Sequence, residues 1–300
     1  MESAPDNRLK VLHVHAHFDD FEFCAAGTFE RWRLDRGPLF QGRVLVCTDG
    51  RAGHHRHSRL ETGTIRLAEQ AASAALGNYE FSLLRQRCGE PFAEGCRVVT
   101  PELLEALWRE IRSFEPDYLI CPPLPSDPAA GVHPDHWTVA EAIRRVAYMI
   151  NVPHAFPDPS GAPDDPNPRW LKTPVILNTY DAYQAGANAF DIAVDVDPCF
   201  DLIAAESWCH QSQIREWLPW VGRHSIPVAA NLDEWKQTLR TRFQRQAREL
   251  LLPTDRAWEV FGITAWGTVP TAFQLASDFP GLAEDSGRLD RLEARLLRWS

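Results

Sequence analysis

The sequence predicts an α/β fold in three layers, a mostly parallel sheet between helices, followed by a C-terminal α-rich extension. Three observations predict it. Short apolar runs alternate with helical patterns through the first half of the chain, as successive βαβ units require. The densest polar clusters follow the first and fourth of those runs, at the strand ends where open parallel sheets bind ligands. The composition is globular: 44% apolar and 24% charged, with eleven Trp in 300 residues, enough to fill a sizeable core.

Residues 11–16 read as the first strand. A helix is expected over 22–36, stopped by Gly37-Pro38. Residues 43–48 form a second strand, and Ser58 with Glu61 makes a capping box for a long helix ending at Leu76-Gly77. A third strand follows at 79–84. Thr100-Pro101 opens a helix to about Phe114, with Pro at the first helical position. Residues 118–121 are the fourth strand, closed by Pro122-Pro123, and 136–149 the next helix. Residues 153–174 hold seven prolines and read as an irregular segment, either inert surface or a rim or lid beside a site. Strands at about 174–179 and 191–196 and helices at about 200–214, 232–252 and 285–299 complete the reading. No internal repeat interrupts it. We expect a single domain over 1–300, with a core at about 9–215 and an extension at about 216–300.

Asp plus Glu number 41 against 31 Lys plus Arg, a net charge of −10 that disfavours nucleic acid and anionic lipid as partners. No run approaches the roughly 20 apolar residues of a membrane span. The first ten residues lack the apolar stretch of a secretory signal. Seven scattered Cys without a CxxC indicate neither a disulfide framework nor a Cys-type zinc site, and suit a reducing cytoplasm. The expected partner is a small molecule, and a homo-oligomer is left open.

The chemistry lies in two clusters: HisAlaHisPheAspAsp at 15–20 and HisProAspHis at 133–136. In a sheet of order 3-2-1-4-5 the first and fourth strands are neighbours, so the two clusters converge at the switch point. No GxGxxG follows the first strand, so a dinucleotide is not expected. Two His and one carboxylate make a catalytic zinc set with an open fourth position, and His17, Asp20 and His136 supply it. Asp19 points away from Asp20 and toward the metal-bound water. His133 is a second imidazole at the site, with Asp135 expected to fix its tautomer. His15 shares a face with His17, but a barrel-type HxH site would need further His on later strands, so it is not assigned.

HisPheAspAsp at 17–20, with Glu22 and Gly27-Thr28 after it, resembles the first signature of the PIG-L/LmbE zinc deacetylases. HisProAspHis at 133–136 matches their second. Arg66-x-x-Glu69 with Leu76-Gly77, Thr48-x-Gly50, and His210-x-Ser212-Gln213 resemble further family positions over roughly 9–215, and TrpGluValPhe at 258–261 a C-terminal one. The resemblance implies a Rossmann-like fold, Zn2+, and hydrolysis of an N-acyl group from an amino sugar or its conjugate. Phe18 stands where the family has Pro, and Arg51 where many members have Glu. Arg51, Arg66 and His54 are the candidate substrate contacts. In the expected mechanism zinc activates water, Asp19 is the general base, and His133 donates to the oxyanion. The alternatives are a zinc hydrolase of a non-sugar amide or ester, and a non-catalytic binding protein on the same fold.

Overall fold

The computed structural model describes residues 8–95, 98–125, 127–157, 168–182, 190–223, 225–283 and 286–299. In chain order its elements are β1 (Leu9–His15), α1 (Ala26–Arg36), β2 (Phe40–Val46), α2 (Arg59–Gly77), β3 (Glu80–Leu83), α3 (Pro101–Phe114), β4 (Tyr118–Cys121), α4 (Pro134–Met149), β5 (Val175–Thr179), β6 (Ile192–Asp195), α5 (Phe200–Trp208), α6 (Leu218–Val221), α7 (Leu232–Glu249), β7 (Trp258–Ile263), α8 (Ala272–Asp278) and α9 (Ser286–Leu296).

The sheet runs β3-β2-β1-β4-β5-β7-β6. The first five strands are parallel, in the expected order, and β7 pairs antiparallel with both neighbours. Period-2 alternation in β1 sends Leu12 and Val14 to the core under α3 and α4, and Val11 to the core under α1, α5 and α7. That is the three-layer α/β fold.

The expected caps form. Ser58 and Glu61 bond reciprocally, and the Thr100 hydroxyl accepts the Leu103 N–H ahead of Pro101. The first helix starts four residues later than expected, because residues 21–23 form a tight 3-10 turn. The helix expected over 200–214 ends at Trp208 and resumes as a wider π-type turn at 212–217.

Strand β7 is absent from the sequence reading and lies in the segment read as α-rich. It places Glu259 under the start of α1, where the carboxylate accepts Gly27 N–H at 2.8 Å, Thr28 N–H at 2.7 Å and the Thr28 hydroxyl at 2.6 Å. Ala25, at the cap position, has no side chain to do this.

No helix among the described residues is long and apolar enough to cross a membrane. Cys24, Cys47, Cys88, Cys121, Cys199 and Cys209 are free thiols.

Candidate active site

The segment after β1 is shaped by its neighbours. The Thr48 hydroxyl donates to Ala16 O at 2.8 Å, tying the ends of β1 and β2. Gly50 has φ +62°, and a Cβ there would sit 2.4 Å from the buried Phe18 ring. Only glycine admits that ring. Asp19 itself is left-handed, at φ +80°. This strained conformation is held by Gln70, whose side-chain oxygen accepts the Asp19 N–H at 3.1 Å, and by Arg66.

His17, Asp20 and His136 are brought together as expected. His17 Nδ1 lies 3.2 Å from His136 Nε2 and 3.3 Å from one Asp20 oxygen, and His136 Nε2 lies 3.4 Å from the other. Four ligands set tetrahedrally at about 2.0–2.1 Å from zinc stand about 3.3–3.4 Å from one another; the two rings meet that spacing with different Asp20 oxygens, and donor atoms of His17, His133 and His136, and of His15, Asp20 and His136, lie within 4.8 Å of one another. The electrostatics agree. Burial opposes charge on both rings, yet Asp20 and Asp135 raise His17 to about 9, and Asp20 and Asp181 raise His136 to about 10. This is a buried pocket of carboxylates that calls for positive charge.

Asp181 has no counterpart in the sequence reading, and His15 is left unassigned there. Asp181, just beyond β5, accepts from His136 Nδ1 at 2.8 Å and fixes its tautomer with Nε2 toward Asp20. His15 Nδ1 is 2.6 Å from Asp20. The same nitrogen accepts the Ala16 N–H at 3.0 Å, so its proton is on Nε2.

Asp135 departs from its expected role. Its carboxylate sits 3.1 Å from His17 Nε2 and accepts the Gly95 N–H at 2.8 Å, so it orients His17 and not His133. The reason is the first turn of α4, which aims Asp135 back at the loop after β1. His133 is instead the N-cap of α4. Its Nδ1 accepts the Asp135 N–H at 3.3 Å, which leaves the proton on Nε2. Burial and the neighbouring His17 and His136 lower His133 to about 4, so it is a neutral donor.

Arg66, expected to anchor substrate, is buried and turned inward. It donates to Asp19 Oδ1 at 2.9 Å and to Phe18 O at 2.6 Å. Burial pushes the Asp19 carboxyl up, Arg66 pulls it down and Asp20 pushes it up again, leaving it at about 6. The rest of the degenerate motifs are ties of the same kind. Glu69 accepts both the N–H and the hydroxyl of Ser212 at 2.7 Å, and Gln213 donates to Gly53 O at 3.1 Å. His210 Nε2 lies 3.1 Å from Glu22, fully buried with it.

Arg51 and His54 are not brought to the metal set. Arg51 pairs with Asp49 at 3.5 Å and lies against Gly63 of α2. His54 stacks on His57 and faces Glu216, with Nε2 3.4 Å from the carboxylate. Its Nδ1 accepts the N–H groups of Arg56 and His57, and donor atoms of His54, His57 and Glu216 lie within 4.8 Å of one another.

A cavity of about 670 Å³ opens on His15, Asp19, Asp20 and His136. Residues 225–229 and α7 also line it. The described residues of the 153–174 segment do not line it, and residues 158–167 of that segment lie outside the described residues.

Residues 12–147 match the family profile described as PIG-L, GlcNAc-PI de-N-acetylase. No curated protein matches the chain in sequence. Solved structures share the fold. N,N'-diacetylchitobiose deacetylase from Pyrococcus horikoshii, complexed with an inhibitor, aligns at TM-score 0.61 and 21% identity, covering 85% of this chain and 83% of that one. The conserved protein TT1542 from Thermus thermophilus aligns at 0.59 and 18%, covering 85% and 94%. GalB, the 4-carboxy-2-hydroxymuconate hydratase from Pseudomonas putida KT2440, aligns at 0.57 and 14%, covering 85% and 96%. At these identities the structures establish the α/β fold, and His17, Asp20 and His136 all lie within the segment that matches the PIG-L profile.

Proposed function

We propose that the chain is a zinc-dependent hydrolase that removes an N-acyl group, acetyl first among them, from an amino sugar or an amino-sugar conjugate. The observation that carries this reading is the convergence of His17, Asp20 and His136, whose donor atoms approach pairwise to 3.2, 3.3 and 3.4 Å, with the Asp19 carboxylate beside them and facing the same cavity. The PIG-L match over that segment supports the amide as the bond cleaved.

When bound, zinc brings the pKa of a coordinated water toward about 7 and polarises a carbonyl. Arg66 holds Oδ1 of Asp19, which leaves Oδ2 to take the proton of the attacking water and return it to the leaving amine. His133 donates from Nε2 to the oxygen on which charge develops. Asp135 and Asp181 hold His17 and His136 in the tautomers the site needs. No Ser or Cys nucleophile is required.

The test combines metal analysis with amine release from N-acetylglucosamine and N,N'-diacetylchitobiose. Asp19→Asn is expected to keep zinc and lose rate by about 10²–10⁴, whereas His136→Ala loses the metal. A metal-free wild type with full turnover refutes the proposal. Cleavage confined to a non-sugar amide or ester, or hydration of a C=C bond as in the GalB reaction, replaces the substrate class. Zinc binding without turnover of any of these points to a binding protein.

A further inference from the structure

Helix α7 turns Arg242 and Arg245 into the cavity that opens on the metal set. The carboxylates lining the same space are committed elsewhere. Asp19 is held by Arg66, Asp20 by His15 and His17, and Asp181 by His136. Glu234 caps the start of α7, accepting the Ala230 N–H at 2.9 Å. One turn beyond Arg245, Glu249 accepts the Tyr180 hydroxyl at 3.0 Å. Arg245 is exposed, and no carboxylate among the described residues pairs with it. Arg240 of the same helix is paired, with Asp197. Arg245 is thus an uncommitted cation facing a cavity, in a chain whose net charge is −10.

Arg242, one turn earlier, ties α7 to the segment that follows Asp20. Arg242 donates to Phe23 O at 3.1 Å and lies over the Phe23 ring at 4.6 Å. Phe23 is one 3-10 turn after Asp20, about 6 Å along the axis. Arg245 is three residues further along α7, about 4.5 Å. The same cavity is lined by the apolar Leu218, Ile226, Val228, Trp235 and Leu239.

We infer that Arg242 and Arg245 form an anion subsite, and that the ligand is an N-acylated amino sugar carrying a carboxylate or phosphate. That the other end is an amide rests on the function proposed above; the anion subsite does not. A guanidinium fork suits both anions, since each presents paired oxygens.

Isothermal titration calorimetry on the full zinc-loaded chain tests it, with N-acetylglucosamine, N-acetylmuramic acid and N-acetylglucosamine 6-phosphate as probes. The two acidic sugars separate carboxylate from phosphate. At least one of them is expected to bind about 10–100-fold more tightly than the neutral sugar, with the advantage shrinking as salt rises. Arg245→Gln, at an exposed position that leaves the fold alone, is expected to abolish most of that advantage, and Arg242→Gln the remainder. Equal affinity for all three sugars, no measurable binding of any, or an Arg245→Gln variant that keeps the advantage overturns the inference. Preference for an acidic sugar without acetate release keeps the subsite and sinks the hydrolase reading. Acetate release with no such preference does the reverse.

Discussion

Replacing Arg66 by Met tests whether this residue serves the base rather than the substrate. The guanidinium is 2% exposed and makes two short bonds, to Asp19 Oδ1 and Phe18 O. Removing it leaves a buried carboxylate and a buried carbonyl without their donor, a loss of about 3–5 kcal/mol. At about 2 cal/mol/K of unfolding entropy per residue, the melting temperature of a 300-residue chain falls by about 5–8 °C.

The functional consequence is separable from that loss. Burial drives the Asp19 carboxyl up to about 6 while Arg66 restrains it. Without the cation the carboxyl rises by a further 1–3 units or so, and a base must be ionised to act. The acid limb of kcat/KM against pH therefore moves upward by about that amount, and activity missing at pH 7 returns at pH 9. Arg66→Lys keeps the charge but not the fork, so it loses stability with little movement of the limb. The assay is a pH–rate profile on zinc-loaded protein, alongside thermal unfolding. A Met variant with an unmoved acid limb and a raised KM refutes the reasoning and returns Arg66 to substrate binding.

Asp181→Asn is expected to weaken zinc by about 10–100-fold in a chelator competition while the fold persists, since it removes the carboxylate that orients His136; unchanged affinity removes Asp181 from the metal's support. Glu22 concerns acid stability. Burial raises its carboxyl, but His210 and Ser73 outweigh this and hold it at about 2, below the ordinary 4.5. Its contribution of about 3 kcal/mol is complete above pH 4.5 and is lost as pH falls toward 2. Glu22→Gln therefore flattens stability over that window in urea titrations, and an unaltered slope there refutes the assignment.

The convergence of His17, Asp20 and His136 is legible in the sequence because each follows a parallel strand or opens a helix, and the βαβ rule alone makes those strands neighbours. The caps at Ser58 and Thr100 are legible because their partners lie three residues away. What the sequence hides depends on partners distant along the chain. β7 is short and apolar, with nothing local to mark it, and only pairing with β5 and β6 makes it a strand. Asp181 has no spacing relation to His136, 45 residues earlier. Arg66 looks like a solvated residue of a helix face, and it is buried only because α2 lies across the loop that holds Phe18 and Asp19. Asp135 is nearer in sequence to His133, whereas the turn of α4 gives it to His17.

The carboxylate of Glu259 beneath α1 ties this protein to its own synthesis. The donors at Gly27 and Thr28 precede their acceptor by 232 and 231 residues. A ribosome adding about 5–20 residues per second takes roughly 10–50 s to cover that distance. Throughout that interval the nascent helix start beside the HisPheAspAsp loop must satisfy its donors with water. The half of the molecule that carries His17 and Asp20 is therefore among the first parts made and among the last to be locked, and any ion that reaches these residues early meets a loop whose following helix is not yet anchored.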